Sequence, residues 1–158
     1  MARVTMKIKV SSPLASPIVK WKPPPLSWVK ENFYASFLHG NQLAWSGVII
    51  RDVDGLILGA CRRKVDIITS SFVAETVAAL HAVRLSLDLG FTQVIVEGDC
   101  RSVIQSLASS MADRSKIGIW VHEGRKLATP IRACRFQHVP RIGNKAAHLL
   151  ASFNSTST

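Results

Sequence analysis

Two acidic residues of this chain stand in settings that suit a divalent-metal site. Glu75 lies in the Ala-rich segment 74–80, which predicts an apolar helix, and Asp99 follows segment 93–97, which predicts a hydrophobic strand. Carboxylate oxygens bind Mg²⁺ and Mn²⁺, and such ions activate water and stabilise charge on phosphoryl oxygens. A working centre would need further ligands. The simpler interpretation of Glu75 is an exposed acid near a helix N-terminus, where it favours the helix dipole.

The elements that would position these acids follow a mixed α/β order. Three antiparallel strands, with a turn at 52–55, precede a helix that Ser70 or Ser71 can cap and that Gly90 ends. The strand after this helix is expected to pair in parallel through a right-handed crossover. The predicted strands are 29–37, 47–51, 56–61, 93–97 and 132–139, and the predicted helices end at Leu89, cover 101–108, extend across Ile117 to Ala128, and run from an Asn144 cap to Phe153.

Composition indicates one folded domain inside the cell. The chain has 158 residues and is 47% hydrophobic, which argues for a core and against general disorder. No apolar run reaches the roughly 18 residues of a membrane-spanning helix, so we expect no membrane contact. The three cysteines lack C-x-x-C spacing, which favours a reduced, intracellular protein. We expect a nuclear or cytoplasmic location, since no amphipathic organelle-targeting pattern opens the chain.

The charge of the chain is strongly basic and partly local. The net charge is +10, from 20 Lys and Arg against 10 Asp and Glu, and residues 1–30 contain no acid. Such a protein commonly meets a polyanion, nucleic acid above all, although the charge can also serve solubility alone. Because prolines and serines before residue 28 oppose long regular structure, we predict a flexible basic leader over 1–27, a domain over 28–153 and a polar tail over 154–158.

A series of short segments in a specific order extends from Trp21 to Phe153. They are WKPP at 21–24, KENFYASF at 30–37, GVIIRD at 47–52 with Gly55, AE at 74–75, LGF at 89–91, VEGD at 96–99 and NKAAHLLA at 144–151. In this order and spacing the chain resembles the ribonuclease H domain, in the reverse-transcriptase-like, retroelement-derived form common in plant genomes. The resemblance implies an α/β fold with a mixed five-stranded sheet, three antiparallel strands and then two parallel ones, flanked by helices.

Active members of that family hydrolyse the RNA strand of RNA–DNA hybrids with two Mg²⁺ ions held by four carboxylates. The resemblance carries the four positions onto Tyr34, Glu75, Asp99 and His148, so that Glu75 and Asp99 would hold Mg²⁺ or Mn²⁺. Tyr34 replaces the first carboxylate with a bulky phenol, which is neutral at pH 7. Glu31 cannot substitute for it, because it has the opposite strand parity. His148 can bind metal or phosphate, or be an ordinary residue of a helix surface.

Basic and amide side chains supply candidates for contacts with nucleic acid. Basic groups engage phosphates without reading sequence, and a hybrid is recognised through groove shape and 2′-hydroxyls. For segment 62–64, an ordinary solvated strand end is the alternative. The candidates are Asn32, Arg62, Arg63, Lys64, Arg141, Asn144 and Lys145.

The function that the sequence favours is a monomeric ribonuclease-H-like domain that binds RNA–DNA hybrid. Tyr34 and His148 should impair catalysis, because the loss of a metal-binding charge reduces such rates by orders of magnitude. One alternative is an active hydrolase that uses Glu75, Asp99 and His148. The other is a non-catalytic protein-interaction domain domesticated from a retroelement. A hybrid-cleavage assay and the salt dependence of hybrid binding discriminate among the three.

Overall fold

The computed structural model describes residues 20–38, 43–66, 70–109 and 131–153. Its strands are β1 Val29–Leu38, β2 Leu43–Arg51, β3 Ile57–Val65, β4 Gln93–Gly98 and β5 Ala133–His138. They form a five-stranded sheet in the order β3-β2-β1-β4-β5. The β1–β2 and β2–β3 pairs are antiparallel, whereas the β1–β4 and β4–β5 pairs are parallel. This topology confirms the predicted fold class.

Three helices in the described ranges accompany the sheet. Helix α1, Ser71–Leu89, is capped as predicted: the Ser70 hydroxyl accepts a hydrogen bond from the Val73 N–H at 3.2 Å, and Gly90 follows with a left-handed φ of 80°. Helix α2 is Arg101–Ala108, and helix α3, Lys145–Ser152, is preceded by a 3₁₀ turn at Arg141–Asn144. Within the described part of the chain, no helix is both long and apolar enough to cross a membrane.

Strand β1 presents alternate residues to two different helices. On one side, Glu31 accepts a hydrogen bond from the Ser86 hydroxyl of α1 at 3.0 Å. On the other side, the Ser36 hydroxyl donates to the Ala151 carbonyl of α3 at 3.3 Å. Tyr34 shares the parity of Ser36, so Glu31 is turned away from it and cannot supply the missing carboxylate.

Helix α3 lies directly on the middle of β2 because Gly47 has no side chain. A Cβ at Gly47 would lie 2.6 Å from the Ala147 carbonyl oxygen and 2.6 Å from the Ala151 nitrogen, well inside contact distance. In the sheet register, Tyr34, Gly47 and Arg62 lie side by side on neighbouring strands. The helix that crosses Gly47 therefore separates Tyr34 from Arg62.

The packed chain begins before the predicted domain start at residue 28. The Trp21 indole N–H donates to Asn32 Oδ1 at 2.9 Å, and the Arg51 guanidinium stacks on the same indole at 3.9 Å. Prolines exclude regular structure there, but they do not prevent a large side chain from packing. Most of the predicted leader, the tail over 154–158 and the predicted helix across Ile117 to Ala128 lie outside the described residues.

Candidate active site

The candidate site forms where β1 and β4 stop pairing. Their last parallel pair is Phe33 with Gly98, and the next residues on the two strands are Tyr34 and Asp99. The Phe33 ring covers Gly98 so closely that an added Cβ would collide with the ring Cζ. Glycine therefore lets the strands run side by side up to this point. Beyond it lies the carboxyl end of two parallel strands, the usual place of a binding site in such sheets.

Glu75 reaches this place from helix α1. Its Oε1 accepts a hydrogen bond at 3.1 Å from the Ala35 N–H, which lies past the last β1–β4 pair. The side chain is buried, and its Oε2 has no hydrogen-bond partner in the described structure. Glu75 is thus held at the strand ends and is not an exposed acid at a helix end.

Tyr34 and His148 pack against each other at the centre of the site. The His148 ring of α3 meets the Tyr34 ring edge-on, with centroids 4.6 Å apart and ring planes at 82°. Edge-to-face pairs of this kind contribute about 1 kcal/mol beyond their buried area. The residues at the two positions where the family resemblance implies carboxylates therefore form an aromatic contact.

Arg141 adds a positive charge to the site. Its Nε lies 3.5 Å from Asp99 Oδ2, and its guanidinium carbon lies 5.7 Å from the Tyr34 ring centroid. The Asp99 side chain is 8% exposed, whereas that of Arg141 is 70% exposed. Arg141 begins the 3₁₀ turn before α3, so the same segment that places His148 also places this guanidinium. Arg141, which was predicted to bind nucleic acid, therefore contacts Asp99, which was predicted to bind metal.

Burial controls the ionisation of the site. It raises the pKa of Glu75 to about 8; the Ala35 hydrogen bond and Arg141 oppose this increase, and the Asp99 charge adds to it. Burial also raises the pKa of Tyr34, with Arg141 acting against it and the two carboxylates acting with it. Without a further cation, Tyr34 is a neutral phenol and Glu75 is largely protonated at neutral pH.

We expect Glu75→Gln to stabilise the fold more at high pH than at low pH. The folded-state pKa of about 8 lies above the unfolded value of 4.5, so the native state holds a proton that the unfolded chain releases. The stability linked to that proton is complete below pH 4.5 and is lost as the pH rises through 8. Gln keeps the acceptor for Ala35 without the charge. The gain in unfolding free energy should be about 4 kcal/mol larger near pH 9 than near pH 5.

Urea unfolding in EDTA at the two pH values measures this difference. Asp66→Asn is the matched control, because it removes a carboxylate whose side chain is 71% exposed. A stabilisation by Glu75→Gln that is equal at both pH values would contradict the burial of an uncompensated carboxyl group.

The side chains present do not fit the two-metal centre that the family resemblance implies. In favour of a cation, Glu75 Oε2 and Asp99 Oδ2 are both buried without hydrogen-bond partners in the described structure. Against it, Tyr34 occupies the position where the resemblance implies the first carboxylate, and Arg141 already faces Asp99 Oδ2. Across residues 20–38, 43–66, 70–109 and 131–153, no three His, Cys, Asp or Glu side chains converge as metal ligands. The donor set lacks both the charge and the ligand number of such a centre.

Asn32 and Asn144, predicted to contact nucleic acid, are instead buried and bonded to each other. Asn32 Nδ2 donates to Asn144 Oδ1 at 3.1 Å, and Asn144 Nδ2 donates to the Phe33 carbonyl at 2.9 Å. Neither amide lies on a surface that a nucleic acid can reach. Asn144 is the N-cap residue of the terminal helix as predicted, but its side chain makes no capping hydrogen bond. The two amides join β1 to the start of α3.

Sequence reasoning missed a buried ion pair beside these amides. Lys30 Nζ lies 3.5 Å from Glu97 Oε1 and donates to the Lys22 carbonyl at 2.7 Å. Glu97 also accepts hydrogen bonds from Asn32 at 2.8 Å and from Gln137 at 2.7 Å. No local pattern in the sequence indicates this pair, because it depends on the parallel β1–β4 register, in which Asn32 is opposite Glu97. Lys30 therefore adds nothing to the basic surface.

In the predicted basic segment 62–64, the first residue packs against other parts of the fold and the other two are exposed. Arg62 donates from Nε to the Leu150 carbonyl at 3.0 Å and stacks on Trp45 at 3.8 Å, so it joins β3 to α3. The next two residues of the segment are exposed, as is Lys145 at the start of α3. An open groove of about 470 Å³ is lined by Arg62, Arg63, Lys64, Arg84 and Asp88. Arg84, on α1, also lines this groove, although it was not among the residues predicted to bind nucleic acid.

Comparisons with known proteins match this architecture. Ribonuclease H1 from Halobacterium salinarum gives a TM-score of 0.75 at 22% identity, covering 83% of this chain and 99% of that one. The N-terminal ribonuclease H domain of a Mycobacterium tuberculosis protein gives 0.72 at 20% identity, covering 79% and 91%. A ribonuclease H1 isolated from compost, solved in complex with an RNA/DNA hybrid, gives 0.64 at 19% identity, covering 79% and 93%. At these identities, the likeness establishes the fold alone.

Sequence comparison identifies the family directly. A comparison with curated proteins gives no match. A family model described as reverse transcriptase-like matches residues 32–154, a range that contains Tyr34, Glu75, Asp99 and His148. With the ribonuclease H fold on which these residues meet, the chain belongs to the reverse transcriptase-like family.

Proposed function

We propose that this chain is a nucleic-acid-binding domain whose ligand is an RNA–DNA hybrid and whose hydrolytic activity is impaired. The observation that carries the proposal is the composition of the candidate site, where Tyr34 and His148 pack together and leave Glu75 and Asp99 as the acids. The fold supports the ligand, because the family hydrolyses RNA in such hybrids and a ribonuclease H1 of this fold was solved with one.

The impairment follows from charge. A two-metal hydrolase neutralises two divalent ions with several carboxylates, and this site offers two acids beside the Arg141 guanidinium. Metal binding is therefore opposed by a fixed positive charge and by the loss of ligands. Since each 1.36 kcal/mol of lost transition-state stabilisation reduces the rate tenfold, a loss of several kcal/mol corresponds to about 10³-fold or more. We expect no hybrid cleavage above background in Mg²⁺ or Mn²⁺.

Exposed basic groups support the binding half of the proposal. Arg141 is exposed beside Asp99 at the candidate site, and Lys145 is exposed at the start of α3. A second basic region lines the groove that includes Arg63, Lys64 and Arg84. Such groups contact phosphates and make affinity depend on salt. Hybrid should be preferred over duplex DNA because only the hybrid carries 2′-hydroxyls on one strand.

Fluorescence anisotropy with a labelled RNA–DNA hybrid tests the proposal. We expect log K to fall linearly with log salt concentration, and a higher affinity for the hybrid than for duplex DNA of the same sequence. A cleavage assay in the same samples should show no turnover. Binding without salt dependence, or no binding, would overturn the proposal; turnover that Glu75→Gln abolishes would overturn the impairment alone.

A protein-interaction domain domesticated from a retroelement is the second candidate. The observation that favours it is a set of three exposed apolar side chains: Ile142 in the 3₁₀ turn, Leu149 on α3 and Phe153 directly after α3. Hybrid that fails to bind at any salt concentration would favour this candidate. Under either function we infer a monomeric protein that acts inside the cell.

A further inference from the structure

The Arg141 side chain is oriented by a buried acid while most of it faces solvent. Its Nε is directed at Asp99 Oδ2, an oxygen that has no hydrogen-bond partner in the described structure. An exposed ion pair contributes little and fixes little, because both side chains move freely. Here the Asp99 side chain is buried, so one member of the pair is fixed and the guanidinium is held against it.

A guanidinium fixed in this way keeps donors for a further anion. It carries five N–H groups in a planar fork, which matches the geometry of phosphate. Among the described residues, the partners of Arg141 are Asp99 and the Tyr34 ring. The terminal nitrogens are therefore available at the opening where β1 and β4 end.

Tyr34, whose ring lies beside this guanidinium, carries a second hydrogen-bond donor. Its ring lies 5.7 Å from the guanidinium carbon, and a phenol O–H donates hydrogen bonds to anions. Lys145 is exposed and lies four residues after Arg141 on the adjoining helix. Four clustered carboxylates would repel a phosphate unless metal ions lay between them, whereas here the Arg141 guanidinium pairs with Asp99.

We propose that Arg141 and the Tyr34 hydroxyl bind one backbone phosphate of the nucleic acid without a divalent ion, so that the guanidinium holds the place of a metal ion. Asp99 acts as a positioning residue that orients the guanidinium. The inference rests on the proposed function, because it concerns how the same site engages its nucleic-acid ligand. It adds that the engagement is independent of metal and depends on one arginine.

Hybrid affinity measured in EDTA and in MgCl₂ tests the inference. At matched ionic strength the wild type should bind at least as tightly in EDTA as in MgCl₂, because Mg²⁺ competes for the phosphates as a counterion. Arg141→Gln should weaken binding about tenfold in EDTA, the effect of losing a charge-assisted phosphate contact. The slope of log K against log salt should fall by about 1. Arg132→Gln is the matched control: it removes an exposed arginine before β5, at the opposite ends of the parallel strands, and should have a much smaller effect.

Two further variants separate charge from geometry. Arg141→Lys keeps the charge without the fork and should fall between wild type and Arg141→Gln. Tyr34→Phe keeps the ring against His148 and removes only the hydroxyl, so it should weaken binding by a few-fold without changing the salt slope. Circular dichroism confirms that each variant is folded.

The outcomes are distinct. Binding that requires Mg²⁺, or equal effects of Arg141→Gln and Arg132→Gln, would overturn the inference while hybrid binding itself stands. An absence of hybrid binding by the wild type in both buffers would overturn the proposed function as well.

Discussion

Tyr34→Asp combined with His148→Asp should convert this chain into a Mg²⁺-dependent hybrid nuclease at least about 10³-fold faster than the wild type. The two substitutions place carboxylates beside Glu75 and Asp99, the acids that the fold already positions. Asp is smaller than either aromatic residue, so the change opens space for ions and water. Tyr34→Asp alone should give a smaller gain, since His148 can contribute one neutral ligand.

Cleavage of a labelled hybrid in MgCl₂ measures the gain. The variant with both Tyr34→Asp and His148→Asp is called the Asp pair. Its control is Tyr34→Asn with His148→Asn, which has the same side-chain shape without the charge and should stay inactive. Adding Glu75→Gln to the Asp pair should abolish the new activity.

Thermal unfolding gives an independent measurement. The Asp pair should be less stable than the wild type in EDTA, because it adds like charges to a buried site, and Mg²⁺ should restore part of that stability. An Asp pair that Mg²⁺ stabilises but that cleaves no hybrid would show that the missing carboxylates are not what limits catalysis.

Gly47→Ala should lower the unfolding free energy by about 3 kcal/mol or more. The new Cβ would lie 2.6 Å from two backbone atoms of α3, the Ala147 oxygen and the Ala151 nitrogen, and a backbone cannot rotate away as a side chain can. Helix α3 must then lift from β2. Because α3 also carries His148 and follows Arg141, the substitution should disturb the site together with the fold.

This loss of unfolding free energy in Gly47→Ala corresponds to a Tm lower by roughly 6–12 °C in a domain of this size, which thermal unfolding measures. Gly90→Ala is the matched control, because Gly90 has a positive φ of 80° but nothing within 4 Å of an added Cβ. It should cost only about 1 kcal/mol, the conformational penalty of a left-handed position. Similar losses from the two substitutions would show that α3 does not depend on close contact with β2.

Local pattern was enough to predict the elements that frame the site. The ends of α1 at Ser70 and Gly90 are set by neighbouring hydrogen bonds and by a left-handed residue, both of which sequence reveals directly. The same holds for the parity that turns Glu31 away from Tyr34, since alternation along a strand requires no knowledge of distant residues. The structure therefore confirms these predicted features.

Long-range pairing was beyond what local pattern can predict. From local pattern alone, Asn32 is typical of a surface amide, but in the structure it is bonded to Asn144, which is 112 residues away in the sequence. Lys30 adds to the apparent basic surface until Glu97 is placed beside it by the parallel β1–β4 register. In each case a polar side chain is buried because a distant partner satisfies it, and single-sequence patterns do not identify that partner.

The opening after Phe33 and Gly98 is maintained by the end of strand pairing and by main-chain contacts, among them the Ala35 N–H bonded to Glu75. The strand ends that frame the opening are thus positioned without the side chains at 34 and 148. In the genetic code, every Tyr codon and every His codon becomes an Asp codon by one base change at the first position. One base change at each of the two positions is therefore enough to exchange Tyr34 and His148 for Asp, the variant whose hybrid cleavage is predicted above.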